Sequence, residues 1–154
     1  MIVVAWNPLS GNLIPVGKAT GFSVQKRSYR AVIVDDEWLI RSELRMLLGN
    51  FPEISVVGEA ATVYEAAEVI RRTRPDVVFL DIQMPGESGL RLLDMVERDF
   101  EVVFVTAYPQ YREEAMKFRP KAYLLKPIRV GDLSQVIAQL AKGKESHEDP
   151  GSQR

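Results

Sequence analysis

The sequence predicts an α/β protein built on one doubly wound, five-stranded parallel sheet with five helices. Two observations carry that prediction. Short β-branched runs alternate with segments of helical period along the chain, which demands crossover connections and a sheet covered on both faces. At the centre, Val77-Val78-Phe79-Leu80 is apolar without alternation, the pattern of a strand buried on both sides. That run meets Asp81, and Met84-Pro85-Gly86 then leaves the strand, since proline has no ladder donor and glycine suits a turn.

Each element has its own warrant. Ala31-Val32-Ile33-Val34 reads as the first strand and ends in Asp35-Asp36-Glu37. Residues 38–48 have helical spacing, with Ile40, Leu44, Leu47 and Leu48 as the apolar stripe, and the three acids are expected in the first turn, where the helix dipole favours them. Gly49-Asn50 and Pro52 stop that helix. Ile54 to Gly58 is the second strand. Thr62 is the expected N-cap of the second helix, with Glu65 completing a capping box, and the helix runs to about Arg72 with Ala66, Val69 and Ile70 on one face. Val77 to Leu80 is the third strand. A third helix starts at Ser88 or Gly89 and carries Leu90, Leu92, Leu93 and Val96. Val102 to Val105 is the fourth strand, ending at Thr106; residues 110–118 form a weaker, charge-rich helix. Ala122 to Leu125 is the fifth strand, ending in Lys126-Pro127. Residues 132–142 form the last helix, striped by Leu133, Val136, Ile137 and Leu140.

The ends are different. Residues 1–28 are rich in Gly, Pro, Asn and Ser and read as a flexible extension, either a leader or a basic docking arm. Residues 1–30 hold Lys18, Lys26, Arg27 and Arg30 and no acid, against a whole-chain net charge of -1. Residues 143–154 read as a disordered polar tail, with the lone His147 solvated in it. The balanced charge directs the chain toward neither nucleic acid nor membrane, and no apolar stretch approaches the roughly 18 residues of a membrane span. The absence of cysteine removes disulfides and thiolate metal sites and fits a reducing, cytoplasmic setting.

In a doubly wound sheet a site forms outside the carboxyl ends of the strands. The chemistry-bearing residues lie there: Asp35 and Asp36, Asp81, Thr106 and Lys126. Carboxylates so close repel unless cations intervene. Hard oxygen donors with no His or Cys nearby select Mg²⁺ or Mn²⁺. Lys126 adds a mobile cation and Thr106 a neutral hydroxyl donor, which makes an anion clamp suited to phosphoryl transfer. A carboxylate can itself be the nucleophile, and Asp81 is central. Taken singly the residues are ordinary: Asp-Asp-Glu is a common helix start, Lys126-Pro127 a common turn, and Thr common in strands.

Taken together, in order, they resemble the receiver domain of two-component response regulators over residues 29–142. The matching segments are Val34-Asp35-Asp36-Glu37, Leu80 to Gly86 with Gly89-Leu90, Val105-Thr106-Ala107 and Tyr123-Leu124-Leu125-Lys126-Pro127. The wording is most similar to receivers of LytTR-type regulators, which carry a DNA-binding domain after the receiver, so the chain is expected to be either a stand-alone receiver or part of a longer regulator. The resemblance implies a flavodoxin-like sheet of order 2-1-3-4-5. It also implies Asp81 as phospho-acceptor, with Mg²⁺ held by Asp36, Asp81 and the Gln83 backbone carbonyl, and by Asp35 through water. Thr106 and Lys126 would contact the phosphoryl group, and Thr106 and Tyr123 would form the switch.

The function so implied is a phosphorylation-dependent signalling switch and not an enzyme. Its partners would be a sensor histidine kinase and an output partner or second copy, met at the face of the fourth helix, fifth strand and fifth helix; the chain itself would bind no nucleic acid and no membrane. A phosphorylation-independent adaptor is the alternative. An aspartate-based phosphatase ranks last, because the acid such enzymes need two residues after the nucleophile is here Gln83.

Overall fold

The structure is a computed structural model that describes residues 4–15 and 28–147. Five strands form one parallel sheet: β1 (Tyr29–Val34), β2 (Ile54–Ala60), β3 (Val77–Leu80), β4 (Glu101–Thr106) and β5 (Ala122–Leu125). Their spatial order is β2-β1-β3-β4-β5, the flavodoxin-like order expected. The connecting helices are α1 (Trp38–Leu48), α2 (Val63–Thr73), α3 (Leu92–Met95), α4 (Arg112–Met116) and α5 (Val130–His147).

Strand alternation sorts the core into two layers. Val32, Val34, Val78, Leu80, Val102 and Phe104 face α2, α3 and α4, where Ala66, Val69, Ile70, Leu92 and Ala115 cover them. Ala31, Ile33, Val77, Phe79, Val103 and Val105 face α1 and α5, under Leu44, Leu48, Leu133, Val136 and Leu140. All four residues of β3 are buried, as its unbroken apolar run requires. Register places the strand mouths side by side: Val34 pairs with Leu80, and Leu80 with Phe104.

Thr62 is the N-cap of α2 and its hydroxyl accepts from the Glu65 N–H at 3.1 Å. The reciprocal arm differs slightly, since the Glu65 carboxylate takes the Ala61 N–H rather than that of Thr62.

Several boundaries depart from the sequence reading. Asp35, Asp36 and Glu37 do not enter the first turn of α1; Glu37 is its N-cap and the first turn holds no acid. The reason is local: the Asp35 carboxylate accepts the Glu37 N–H at 2.9 Å, which folds the acids into a turn ahead of the helix. The third helix begins where expected, with the Ser88 hydroxyl accepting from Leu90 N–H, but is a 3₁₀ turn (Gly89–Arg91) followed by one α-turn. The fourth is likewise a 3₁₀ turn (Pro109–Tyr111) and the short α4, closed before Arg119 at φ 50°. α5 starts earlier, at Val130, because the Asp132 carboxylate caps the Arg129 N–H at 3.0 Å from inside the first turn. It also continues to His147, so residues 143–147 of the expected tail are helical, while 148–154 lie outside the described residues.

The stretch expected as an extension contains an antiparallel hairpin, Val4–Asn7 with Asn12–Pro15, turned through Gly11 at φ 67°. Its Trp6–Leu13 cross-strand pair explains a hairpin where only turn residues stood out. The expected basic arm, at Lys18, Lys26 and Arg27, lies outside the described residues.

Candidate functional site

The mouth of the sheet gathers polar side chains from four strands. Backbone bonds extend the ladder one residue beyond the strands and fix where each side chain starts. Asp81 N–H donates to Val34 O at 2.9 Å, Asp35 N–H to Ala60 O at 3.1 Å, and Lys126 N–H to Thr106 O at 2.9 Å. Among the described residues, Asp35, Asp81 and Thr106 are the buried polar ones, at 3%, 5% and 0% exposure. Burying charge there is costly unless it is paired. The pairing is supplied by Lys126, whose Nζ lies 2.8 Å from Asp35 Oδ2 and 3.1 Å from Asp81 Oδ2.

Burial pushes the Asp81 carboxyl above its ordinary value; the Lys126 ammonium opposes this and the Asp35 charge adds to it. For Lys126, burial works to lower the ammonium, yet the hydrogen bond it donates to Asp35 and the Asp81 charge outweigh it and hold it above its ordinary value. The site is thus an acid-rich cluster whose Asp35 and Asp81 carboxylates are bridged by Lys126.

Asp36 completes a triad with Asp35 and Asp81, in which one carboxylate oxygen of each lies within 4.8 Å of the others. Three hard anionic donors at that spacing fit a Mg²⁺ or Mn²⁺ ion, whose ligands sit at about 2.0–2.1 Å, after small side-chain adjustment. Asp81 also accepts the Gln83 N–H at 3.3 Å, which holds the Gln83 peptide against the acids; the Gln83 side chain is exposed. Among the described residues no helix is long and apolar enough to cross a membrane.

The loop after β3 is shaped for this. Gln83–Met84 and Glu87–Ser88 pair across Pro85-Gly86, with Gly86 at φ 75°, the conformation a Pro-Gly turn wants at its second position. Gly89 then comes hard against the phospho-acceptor candidate. A Cβ there would lie 1.9 Å from the Asp81 carbonyl oxygen, so only glycine fits.

Thr106 and Tyr123 are wired to the β4–α4 connection through Tyr108. The Thr106 hydroxyl accepts weakly from Tyr108 N–H at 3.4 Å. Tyr123 is half-buried on β5, packed on Phe104 with centroids 6.2 Å apart, and its hydroxyl donates to the Tyr108 carbonyl. The Arg112 guanidinium lies 5.8 Å from the Tyr123 ring centre. The structure therefore brings Asp35, Asp36, Asp81 and Lys126 into one cluster and links Thr106 to Tyr123 through Tyr108. Sequence reasoning missed the Tyr108 carbonyl and Arg112, and assigned no role to Arg41, whose Nη1 donates to the Asp35 carbonyl at 2.7 Å. A backbone acceptor leaves no trace in residue type, and Arg41 is one of many surface-patterned arginines.

Fold and site together define a doubly wound α/β domain with an acidic pocket at the sheet mouth. The chain belongs to the response regulator receiver domain family, whose model matches residues 31–138; such domains are signalling modules of two-component systems rather than enzymes. It is 43% identical over 114 residues to a response regulatory protein of Vibrio cholerae, covering 73% of this chain and 48% of that protein. It is 37% identical over 121 residues to the transcriptional regulatory protein BtsR of Escherichia coli, covering 77% and 51%. The sensory transduction protein LytT of Bacillus cereus is 36% identical over 120 residues, covering 76% and 49%. The chain thus spans about half the length of these relatives. Among solved structures, the receiver domain of AraT from Geobacillus stearothermophilus superposes with a TM-score of 0.70 at 31% identity, covering 79% of this chain and 98% of that one.

Proposed function

We propose that this receiver takes a phosphoryl group on Asp81 from a phosphohistidine of a sensor kinase and thereby switches the binding properties of its α4–β5–α5 face. The observation that carries the reading is the Asp81 carboxylate, buried at the sheet mouth with Lys126 Nζ 3.1 Å away and Asp35 and Asp36 beside it. In the transfer an Asp81 carboxylate oxygen forms the new O–P bond as the N–P bond of the donor imidazole breaks. Asp36, Asp81 and the Gln83 carbonyl would hold Mg²⁺, with Asp35 acting through water. The bound ion supplies charge neutralisation for the phosphoryl oxygens. Lys126 turns from the carboxylates to a phosphoryl oxygen, and Thr106 donates its hydroxyl to another.

The switch follows from what Thr106 leaves. Drawn toward the phosphoryl group, it releases the Tyr108 N–H, and Tyr108 carries the carbonyl that holds Tyr123. Tyr123 then turns inward and α4 shifts. A full reversal from 1:99 to 99:1 needs about 5.5 kcal/mol of differential stabilisation, within reach of a phosphoryl group contacted by a cation and a lysine. The face concerned exposes Tyr108, Met116 and Leu125, apolar surface suited to an output partner or second copy. The relatives described as transcriptional regulators support reading the chain as the receiver part of such a regulator, acting in the cytoplasm.

Incubation with acetyl phosphate and Mg²⁺ tests the assignment by intact-mass measurement. The wild-type chain should gain one phosphoryl group, and Asp81→Asn should gain none. Equal labelling of the two would sink it.

A further inference from the structure

We infer that Arg41, on the first turn of α1, is a positioning residue that sets the orientation of the Asp36 carboxylate for the cation. The inference deepens the proposed metal-binding reading and rests on it.

Every backbone and side-chain polar atom of Asp35 is tied down. Its N–H reaches Ala60 O, its Oδ1 accepts from Glu37 N–H at 2.9 Å, and its Oδ2 accepts from Lys126 at 2.8 Å. Its carbonyl oxygen accepts from Arg41 Nη1 at 2.7 Å, a short, charge-assisted bond. That carbonyl belongs to the planar peptide that also contains Asp36 N and Cα. Holding the oxygen therefore fixes the plane from which Asp36 departs. Asp36 has no comparable anchor of its own: among the described residues its carboxylate takes no hydrogen bond. Arg41 is itself held, with its N–H on Glu37 O at 3.1 Å and its side chain half-buried. The helix thus reaches back over its own N-cap and clamps the turn that presents the acids.

The sign of the effect separates positioning from plain electrostatics. A nearby guanidinium repels a dication, so removing its charge alone would tighten Mg²⁺ binding. A positioning role predicts the opposite. Loss of groups that orient metal ligands weakens affinity by about 10–100-fold, and Arg41→Ala should sit near the lower figure, at about tenfold.

The test is isothermal titration of Mg²⁺ into the full chain, with thermal melts in EDTA run alongside. Arg41→Ala is expected to raise the Mg²⁺ Kd about tenfold, and Arg41→Lys, which keeps the charge but not the planar fork, to fall between it and wild type. Arg45→Ala removes a cation one turn further along α1, where Arg45 pairs with Glu59 at 2.7 Å, and should not weaken Mg²⁺. In an Asp36→Asn background Arg41→Ala should add little further loss. Wild-type or tighter binding by both Arg41 variants, alongside a weakened Asp36→Asn, overturns the role of Arg41 while leaving the metal site standing. A lowered melting temperature in EDTA with unchanged Kd also overturns it, because Arg41 would then only stabilise the fold. A wild-type chain that binds no Mg²⁺ overturns the site reading, and this inference with it.

Discussion

Replacing Lys126 with Met removes a cation that pairs two buried carboxylates, and the consequence can be sized. The ammonium lies 2.8 Å from Asp35 and 3.1 Å from Asp81, with side-chain exposures of 15%, 4% and 6%. At an effective dielectric near 20, each contact has a gross Coulomb energy of about 5–6 kcal/mol. Most of that is cancelled by the cost of bringing the three charges out of water. The loss on removing one partner is the smaller figure typical of an orphaned buried charge, about 3–5 kcal/mol. Lys126→Met should lose that much in urea unfolding at pH 7 without divalent ions. Two dependences mark the cause. Asp81 sits above its unfolded value of 3.8, so its ionised form already costs stability: the favourable contribution is complete below pH 3.8 and is lost as pH rises through its raised value. Without Lys126 that cost grows, so the defect should shrink toward pH 3.8 as Asp81 takes up its proton. Lys126, raised above 10.5, stabilises wild type below that pH and ceases to do so as pH rises through its own higher value, so the variant's deficit should also narrow in strong alkali. Millimolar Mg²⁺, a substitute cation, should recover much of the loss. A deficit under about 1 kcal/mol that changed with neither pH nor Mg²⁺ would show that Lys126 is not the counter-ion of the cluster.

Three further outcomes follow from local geometry. Gly89→Ala puts a methyl 1.9 Å from the Asp81 carbonyl oxygen, so the backbone must move; a loss of about 1–3 kcal/mol in urea unfolding is expected, with slowed acetyl phosphate labelling. Tyr123→Phe removes the bond to the Tyr108 carbonyl at a cost of about 1 kcal/mol in the unphosphorylated state. It should also raise the labelling yield, which a purely structural loss would not do. Thr62→Ala deletes the N-cap of α2 and should cost about 1 kcal/mol in thermal or urea melts, while labelling of Asp81 stays unchanged because the cap lies outside the acidic cluster.

The core and the strand ends were legible because they depend on local pattern. The apolar run of β3, the stripe of α1 and the Thr62 N-cap are each set by residues a few positions apart, and the structure keeps them. Element limits were less legible where a side chain reaches across a boundary. Asp35 folds back on Glu37 and keeps the acids out of α1, and Asp132 starts α5 early by capping Arg129. Residue type alone does not say whether an aspartate serves the helix it precedes or the turn before it.

By itself the sequence determined the fold class, the family and the set of acids, hydroxyl and lysine at the strand mouths. The fold class and that set follow from short-range periodicity and from which residue ends each strand; the family follows from the resemblance carried by the ordered motifs. Tertiary structure alone decided how that set is wired. Lys126 meets Asp35 from 91 positions away, and Tyr123 meets Tyr108 across 15. Gly89 is required by a backbone oxygen, and Arg41 acts on one. Contacts to backbone atoms, and charge balance in a buried cluster, depend on three-dimensional distance and desolvation, which the order of residues along the chain does not encode locally.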